Sequence, residues 1–218
     1  GINDADYVVK IKEELPKVNG KRKRKTVWVC PFYACWARMV ERGFSKRTKV
    51  VLETYKDVTV NPEWKRFSDF KAWMKLQAWE GLSLDKDILI QGNLEYSSKT
   101  CVFVPQNINT ILGDCRKARG KYPMGVCYMF LDKAKNRPRK KPFHASITIH
   151  TKKINLGYFE TAQEAHRHWQ IAKADYIEST VNGWSNDASF NILVANALMD
   201  RVHQLRADAQ QNKETIKL

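Results

Sequence analysis

Twelve Lys or Arg residues stand against two acids between Gly113 and Lys153, a local balance of +10 in a chain of formal charge +15. Cations at that density suit one kind of chemistry, the neutralisation of phosphates with release of their counterions. The first 112 residues carry +7 and the segment from Ile154 to Leu218 carries −2, so the block is a local feature. A mixed-sign surface would keep the chain soluble with less self-repulsion, and the block therefore reads as a nucleic-acid surface. A second run, Lys21 to Lys25, follows Pro16 and Asn19-Gly20. Its five adjacent cations repel one another into an extended segment, either an arm along a phosphate backbone or a soluble linker. Cys30, Cys35, Cys101, Cys115 and Cys127 contain no CxxC pair, so they read as buried reduced thiols rather than a zinc site. His166 and His168 lie two apart on a helical pattern and so do not share a face, which speaks against a metal pair.

The 218 residues allow one or two compact units, and 43% hydrophobic residues with 11% aromatics suffice for a core, which excludes wholesale disorder. No stretch approaches the roughly 20 apolar residues of a bilayer span. Asp4, Asp6 and Lys10 break any apolar run at the start, so no signal peptide is expected. A soluble protein of a cell interior is the expectation.

The elements that must position these groups can be read from spacing. Phe32, Trp36, Met39 and Val40 fit one helical face that Gly43 would end. Tyr55 to Val60 alternates as a strand, and Asn61-Pro62 breaks it before a helix bearing Trp64, Phe67, Phe70, Trp73 and Met74 as a packing wall. Leu84 to Leu89 and Cys101 to Val104, separated by Gly92-Asn93, form a β-hairpin, and Pro105 can open a helix. Gly125 to Phe130 is a strand. Phe143 to His150 alternates strictly, with His144, Ser146, Thr148 and His150 on one face. Lys153 to Phe159 is a third strand with Ile154 and Leu156 inward. Thr161-Ala162-Gln163-Glu164 is a capping box opening a helix with the stripe Ala165, Trp169, Ala172 and Tyr176. Ala188 to about Gln211 is a long amphipathic helix that packs on the body or on another chain.

From Cys30 to Leu112 the chain resembles the HNH endonucleases encoded by bacteriophages, many of them homing enzymes. The resemblance rests on Trp36, Met39, Arg42, Tyr55-Lys56-Asp57-Val58, Trp64, Phe67, Phe70 and Trp73, then Leu84-Asp85-Lys86-Asp87, Gly92-Asn93, Tyr96-Ser97, Cys101-x-Phe103-Val104-Pro105 and Asn109. It implies a ββα-metal hairpin in which Asp85 and Asn109 hold a divalent cation, Mg²⁺ or else Mn²⁺, for phosphodiester hydrolysis. Asn107 is the alternative helix ligand. Lys86 stands where the family carries a histidine base. Either it stabilises charge at phosphorus while solvent or Asp87 activates water, or it acts as a desolvated base, or the site is weak or inactive.

From Gly125 to about Ser179 the chain resembles the Apetala-type DNA-binding domain, through Gly125-Val126, the alternating second strand, Leu156-Gly157-Tyr158-Phe159 and Thr161-Ala162-Gln163-Glu164-Ala165. The resemblance implies a free sheet face entering the major groove through Cys127, Met129, His144, Ser146, Thr148, His150, Lys153 and Asn155. Arg116, Lys117, Arg119, Lys121, Lys133, Lys135, Arg137, Arg139, Lys140 and Lys141 would hold phosphates.

The expected fold class is α+β: an N-terminal helical and aromatic segment with the hairpin, then a three-stranded antiparallel sheet packed on one helix, then a C-terminal helix. The expected divisions are an arm over 1–25, a nuclease-like domain over 26–115, a basic linker over 116–124, a DNA-binding domain over 125–180 and a terminal helix over 181–218. Together they imply a DNA endonuclease or nickase acting on double-stranded DNA in the cytoplasm of an infected bacterial cell. The competing expectations are a non-catalytic DNA-binding or regulatory protein on the same scaffold, and an RNA-binding protein. The sequence leaves the oligomeric state open, a monomer included.

Overall fold

A computed structural model describes residues 1–18, 21–52, 55–113, 120–132, 134 and 136–218. Arg116, Lys117, Arg119, Lys133, Lys135 and Cys115 lie outside these residues. The chain is mixed α and β, with helices and small, mostly antiparallel sheets, and divides into two units, Gly1–Val104 and Pro105–Leu218. This division places the hairpin around Asp85 in the first unit and Asn109 in the second. Among the described residues no helix is long and apolar enough to cross a membrane.

The first unit opens with β1 (Lys10–Val18) and β2 (Lys21–Val29), an antiparallel ribbon. The basic run is thus the body of a strand. Three helices follow, α1 (Pro31–Phe44), α2 (Lys46–Val51) and α3 (Phe67–Lys75), with a 3₁₀ turn at Pro62–Lys65. Asn61 opens that turn by accepting from the Glu63 N–H, and Trp64 sits in the turn rather than on α3. Trp64, Phe67 and Phe70 are almost wholly buried, worth roughly 1.5–3 kcal/mol apiece. The Trp36 indole donates to the Trp64 carbonyl at 2.9 Å, which satisfies its N–H inside this core.

Gly43 does not end α1, which runs on to Phe44. A Cβ there would lie 2.5 Å from Val60 Cγ2, so the glycine admits β3 (Thr59–Val60) against the helix. The strand expected over Tyr55–Val60 shrinks to these two residues, which pair in parallel with β5 (Glu95–Tyr96). β4 (Ser83–Asp85) pairs antiparallel with β6 (Val102–Val104), Leu84 opposite Phe103 and Asp85 opposite Val102. Gly92-Asn93 therefore lies inside a long connection that also carries β5, and is not a two-residue turn. Trp73 of α3 stacks on Phe103 with centroids 5.7 Å apart, so the aromatic helix backs the hairpin.

In the second unit α4 (Gln106–Thr110) precedes a sheet ordered β11-β10-β7, comprising β7 (Val126–Tyr128), β10 (Phe143–Ile149) and β11 (Lys152–Phe159). A short pair, β8 (Leu131–Asp132) with β9 (Arg137–Pro138), lies in the β7–β10 connection. Ala145, Val126 and Phe159 bury against Ala165 of α5 (Ala162–Trp184). Thr161 starts α5 by accepting from the Glu164 N–H at 3.1 Å. α6 (Ile192–Gln210) packs on α5 within the chain, where Arg206 bridges Asp175 and Glu178, so its apolar stripe is covered in cis.

Two backbone features shape this sheet. A bulge lies opposite Ala145 and Ser146, with Gly157 at φ +125°. The β10–β11 turn is His150-Thr151, both at positive φ (45° and 68°), a conformation normally given to Asn-Gly. His150, expected on the strand face, is therefore a turn residue, and its ring meets Tyr176 of α5 edge-on.

Gly125 has φ +76°, and a Cβ on it would fall 1.9 Å from Trp169 Cδ1. Gly125→Ala should destabilise the second unit by about 3 kcal/mol or more, from combined backbone strain and overpacking, as read by urea unfolding. Gly183→Ala, with open space at its Cβ, serves as the control and should not destabilise.

Candidate functional sites

The first candidate lies at the end of β4. Asp85 Oδ1 accepts from the Asp87 and Ile88 N–H groups at 2.9 and 2.7 Å, a side-chain turn that reverses the chain as it leaves the sheet. Lys86 turns inward and is buried, its Nζ donating to Asp87 Oδ2 at 2.7 Å and to the Asn93 carbonyl at 3.0 Å. Asn93 closes the loop with its amide, donating to the Lys86 and Glu95 carbonyls at 2.6 and 2.7 Å. Gly92-Asn93 thus clamps the connection rather than turning it.

The charge distribution in this loop is uneven. Lys86 serves Asp87, while Asp85 keeps its own charge with only N–H donors against it. Burial, followed by repulsion from Asp87, pushes the Asp85 carboxyl up to about 6. A hard divalent cation suits such a group, and one carboxylate with water and a phosphate oxygen is an ordinary Mg²⁺ environment. The donor chemistry at Asp85 therefore fits the cation that the HNH resemblance implies, approached through Oδ2 because Oδ1 is already spent. Asn109 is half-buried on α4 in the other unit, its N–H donating to the Pro105 carbonyl, while Asn107 is exposed on a different face. Among the described residues no group of three or more His, Cys, Asp or Glu side chains is arranged to hold a metal.

The second candidate is the face of the β7-β10-β11 sheet opposite α5. His144 sits between Cys127 and Tyr158 in the register and is buried. Asn155 Oδ1 accepts from the Gly157 N–H at 2.9 Å, which fixes the amide with its oxygen toward His144. His144 Nε2, 2.9 Å from that oxygen, therefore donates to it. Its Nδ1 lies 3.5 Å from the Cys127 sulfur. The imidazole also packs at a tilt against Tyr158, centroids 4.9 Å apart, and Arg139 covers Tyr158 at 4.2 Å while reaching Asp132 at 3.6 Å.

His144 and Asn155, expected as free readers, are thus bonded to each other. Arg139, expected in a phosphate loop, is laid onto the sheet face. Ser146 is half-buried, and Thr148 and Lys153 are exposed; all three line a cleft of about 930 Å³ in this unit, shared with Asn107, Cys127 and Tyr176. Lys121, Arg137, Lys140 and Lys141 are exposed. Tyr158 was missed by alternation alone, because the bulge at Gly157 moves it onto the His144 face. The glycine in Leu156-Gly157-Tyr158 was the available signal.

Asp85 gives a test that separates its charge from its shape. A raised carboxyl contributes stability at acid pH, and that contribution is lost as pH rises through about 6. Asp85→Asn keeps the acceptor for both N–H groups and removes the charge. It should flatten the pH dependence of thermal stability between about 4 and 6 and melt no lower than wild type at pH 8. Asp85→Ala removes the charge as well but orphans both N–H groups, and should be about 1–2 kcal/mol less stable than Asp85→Asn at every pH.

Comparison of the chain with protein-family models, with curated proteins and with solved structures finds no match.

Proposed function

We propose that this chain is a metal-dependent DNA endonuclease or nickase of the HNH type, with the β7-β10-β11 sheet as an Apetala-type module that seats it on duplex DNA. The observation that carries the reading is Asp85: a carboxyl at the end of a hairpin strand, fixed by two backbone N–H groups and, among the described residues, without an ion-pair partner. A bound Mg²⁺ or Mn²⁺ supplies Lewis acidity to the scissile phosphate and the leaving oxygen. Asp85 would hold that ion, and Asn109 is the helix ligand that the resemblance implies. Lys86 is committed to Asp87 and Asn93, so the proton of the attacking water passes to solvent or to Asp87 rather than to Lys86. Lys121, Arg137, Lys140 and Lys141 hold phosphates, and Arg139 with Tyr158 presents a stacked cationic surface on the sheet.

The commitment of Lys86 also favours a second reading, a DNA-binding protein on a scaffold that no longer cuts. Supercoiled-plasmid nicking separates the two. Wild type with Mg²⁺ or Mn²⁺ should nick, and Asp85→Asn and Asn109→Ala should each lose 100-fold or more; equal behaviour of all three removes the enzyme reading.

Duplex DNA as partner has its own measurement. Replacing Arg137, Lys140 and Lys141 by Gln should lower the salt slope of duplex binding by about 0.9 for each phosphate that is no longer neutralised, across all sequences. Tighter binding of single-stranded or A-form RNA in competition would instead support an RNA-binding protein.

A further inference from the structure

The ribbon β1–β2 belongs to neither core. Every residue from Lys10 to Lys17 and from Arg22 to Trp28 is exposed, on both faces of the two strands. The twenty residues from Lys10 to Val29 carry eight cations against two acids. In β2 the alternation of side chains puts Arg22 and Arg24 on one face and Lys23 and Lys25 on the other. The opposing strand offsets little of this: Glu14 bonds Arg24 at 3.1 Å, while Lys23 faces Leu15. Like charges recur at every second position along a two-stranded ribbon, an element of marginal stability alone. Ile11 and Trp28, paired across the strands, remain about half exposed at 47% and 44%.

From this geometry we infer that the β1–β2 ribbon is a second DNA-contacting element, one that lies in the major groove of the duplex with its cations against both phosphate walls. The inference rests on the duplex-DNA partner of the preceding reading. The dimensions agree. Nine residues at about 3.4 Å per residue give a ribbon of about 30 Å, close to one turn of duplex. The major groove, about 12 Å wide, admits a two-stranded ribbon. Cations on both faces suit a groove walled by phosphates on two sides, whereas a ribbon lying flat on a surface would need them on one. Phosphates also remove the repulsion that strains the free ribbon, so binding and ribbon order support each other.

The test is the salt dependence of duplex binding by the full chain, wild type against the triple variant Arg22→Gln, Lys23→Gln, Lys25→Gln. None of these side chains touches either core, so the variant should melt as wild type does. The salt slope should fall by about 2 to 3, and affinity near physiological salt should drop tenfold or more. Guanine N7 protection from methylation, a major-groove readout, should shrink by several base pairs in the variant. A variant with the wild-type slope and wild-type N7 protection, on a duplex that wild type binds, overturns the ribbon while leaving the sheet reading intact. A chain that binds the duplex with a ribbon-dependent slope yet never nicks overturns the nuclease and leaves the ribbon standing. A wild type without salt-dependent duplex binding overturns both.

Discussion

A formal charge of +15 cannot be buried, and that constraint sorts the whole chain. Two cores have to be made from what remains, so the first is built from aromatic rings packed at tilted angles, Trp36, Trp64, Phe67, Phe70 and Trp73, and the second from the inner face of a sheet and a helix pair. Much of the charge goes to the β1–β2 ribbon, which lies outside both cores, and to exposed positions before β10 such as Arg137, Lys140 and Lys141. The exceptions follow the same rule from the other side. Lys86, Lys173 and Arg201 are buried, and each gives a hydrogen bond to a carbonyl or a carboxylate within its own unit.

Against that background the loop after β4 stands out for leaving a negative charge under-compensated in a strongly positive chain. A buried lysine adjacent in sequence to two carboxylates would be expected to serve both, yet the loop turns Lys86 toward Asp87 and the Asn93 carbonyl. The Asn93 amide keeps it there by tying both ends of the connection. Local backbone bonding has therefore settled an electrostatic question, and the Asp85 carboxyl is held in place by donors too weak to neutralise it. Structural rigidity and electrostatic frustration occupy the same few atoms.

Features governed by neighbours in the chain were legible in the sequence. The capping box at Thr161, the aromatic periodicity of Phe67 to Met74 and the alternation of Phe143 to Ile149 each appear where local spacing placed them. Misreadings arose where a distant partner decides. Gly43 looked like a helix end because its role is to admit Val60, seventeen positions away in the chain. Gly92-Asn93 looked like a tight turn because the strand between Asn93 and Cys101 pairs with β3 rather than β4. Lys21 to Lys25 was read as an arm or linker because charge alone cannot reveal the antiparallel partner that makes it a strand. At the Asp85 loop the sequence named the residues, but which carboxylate Lys86 would choose depended on Asn93. On the sheet, a bulge brought Tyr158 onto the face that holds His144, and the positive-φ turn took His150 off it.

The His150-Thr151 turn shows how little of this second unit was chosen for ease of folding. Two side-chain-bearing residues, the second of them β-branched, occupy positions at which glycine or asparagine would relax the backbone, a burden of order 1–3 kcal/mol each. A chain under selection for stability alone would shed such a turn quickly, since a single substitution suffices. The hairpin tip is thus a place where backbone comfort yields to the side chains present, and an Asn-Gly turn there would relax the backbone while forfeiting the ring contact between His150 and Tyr176.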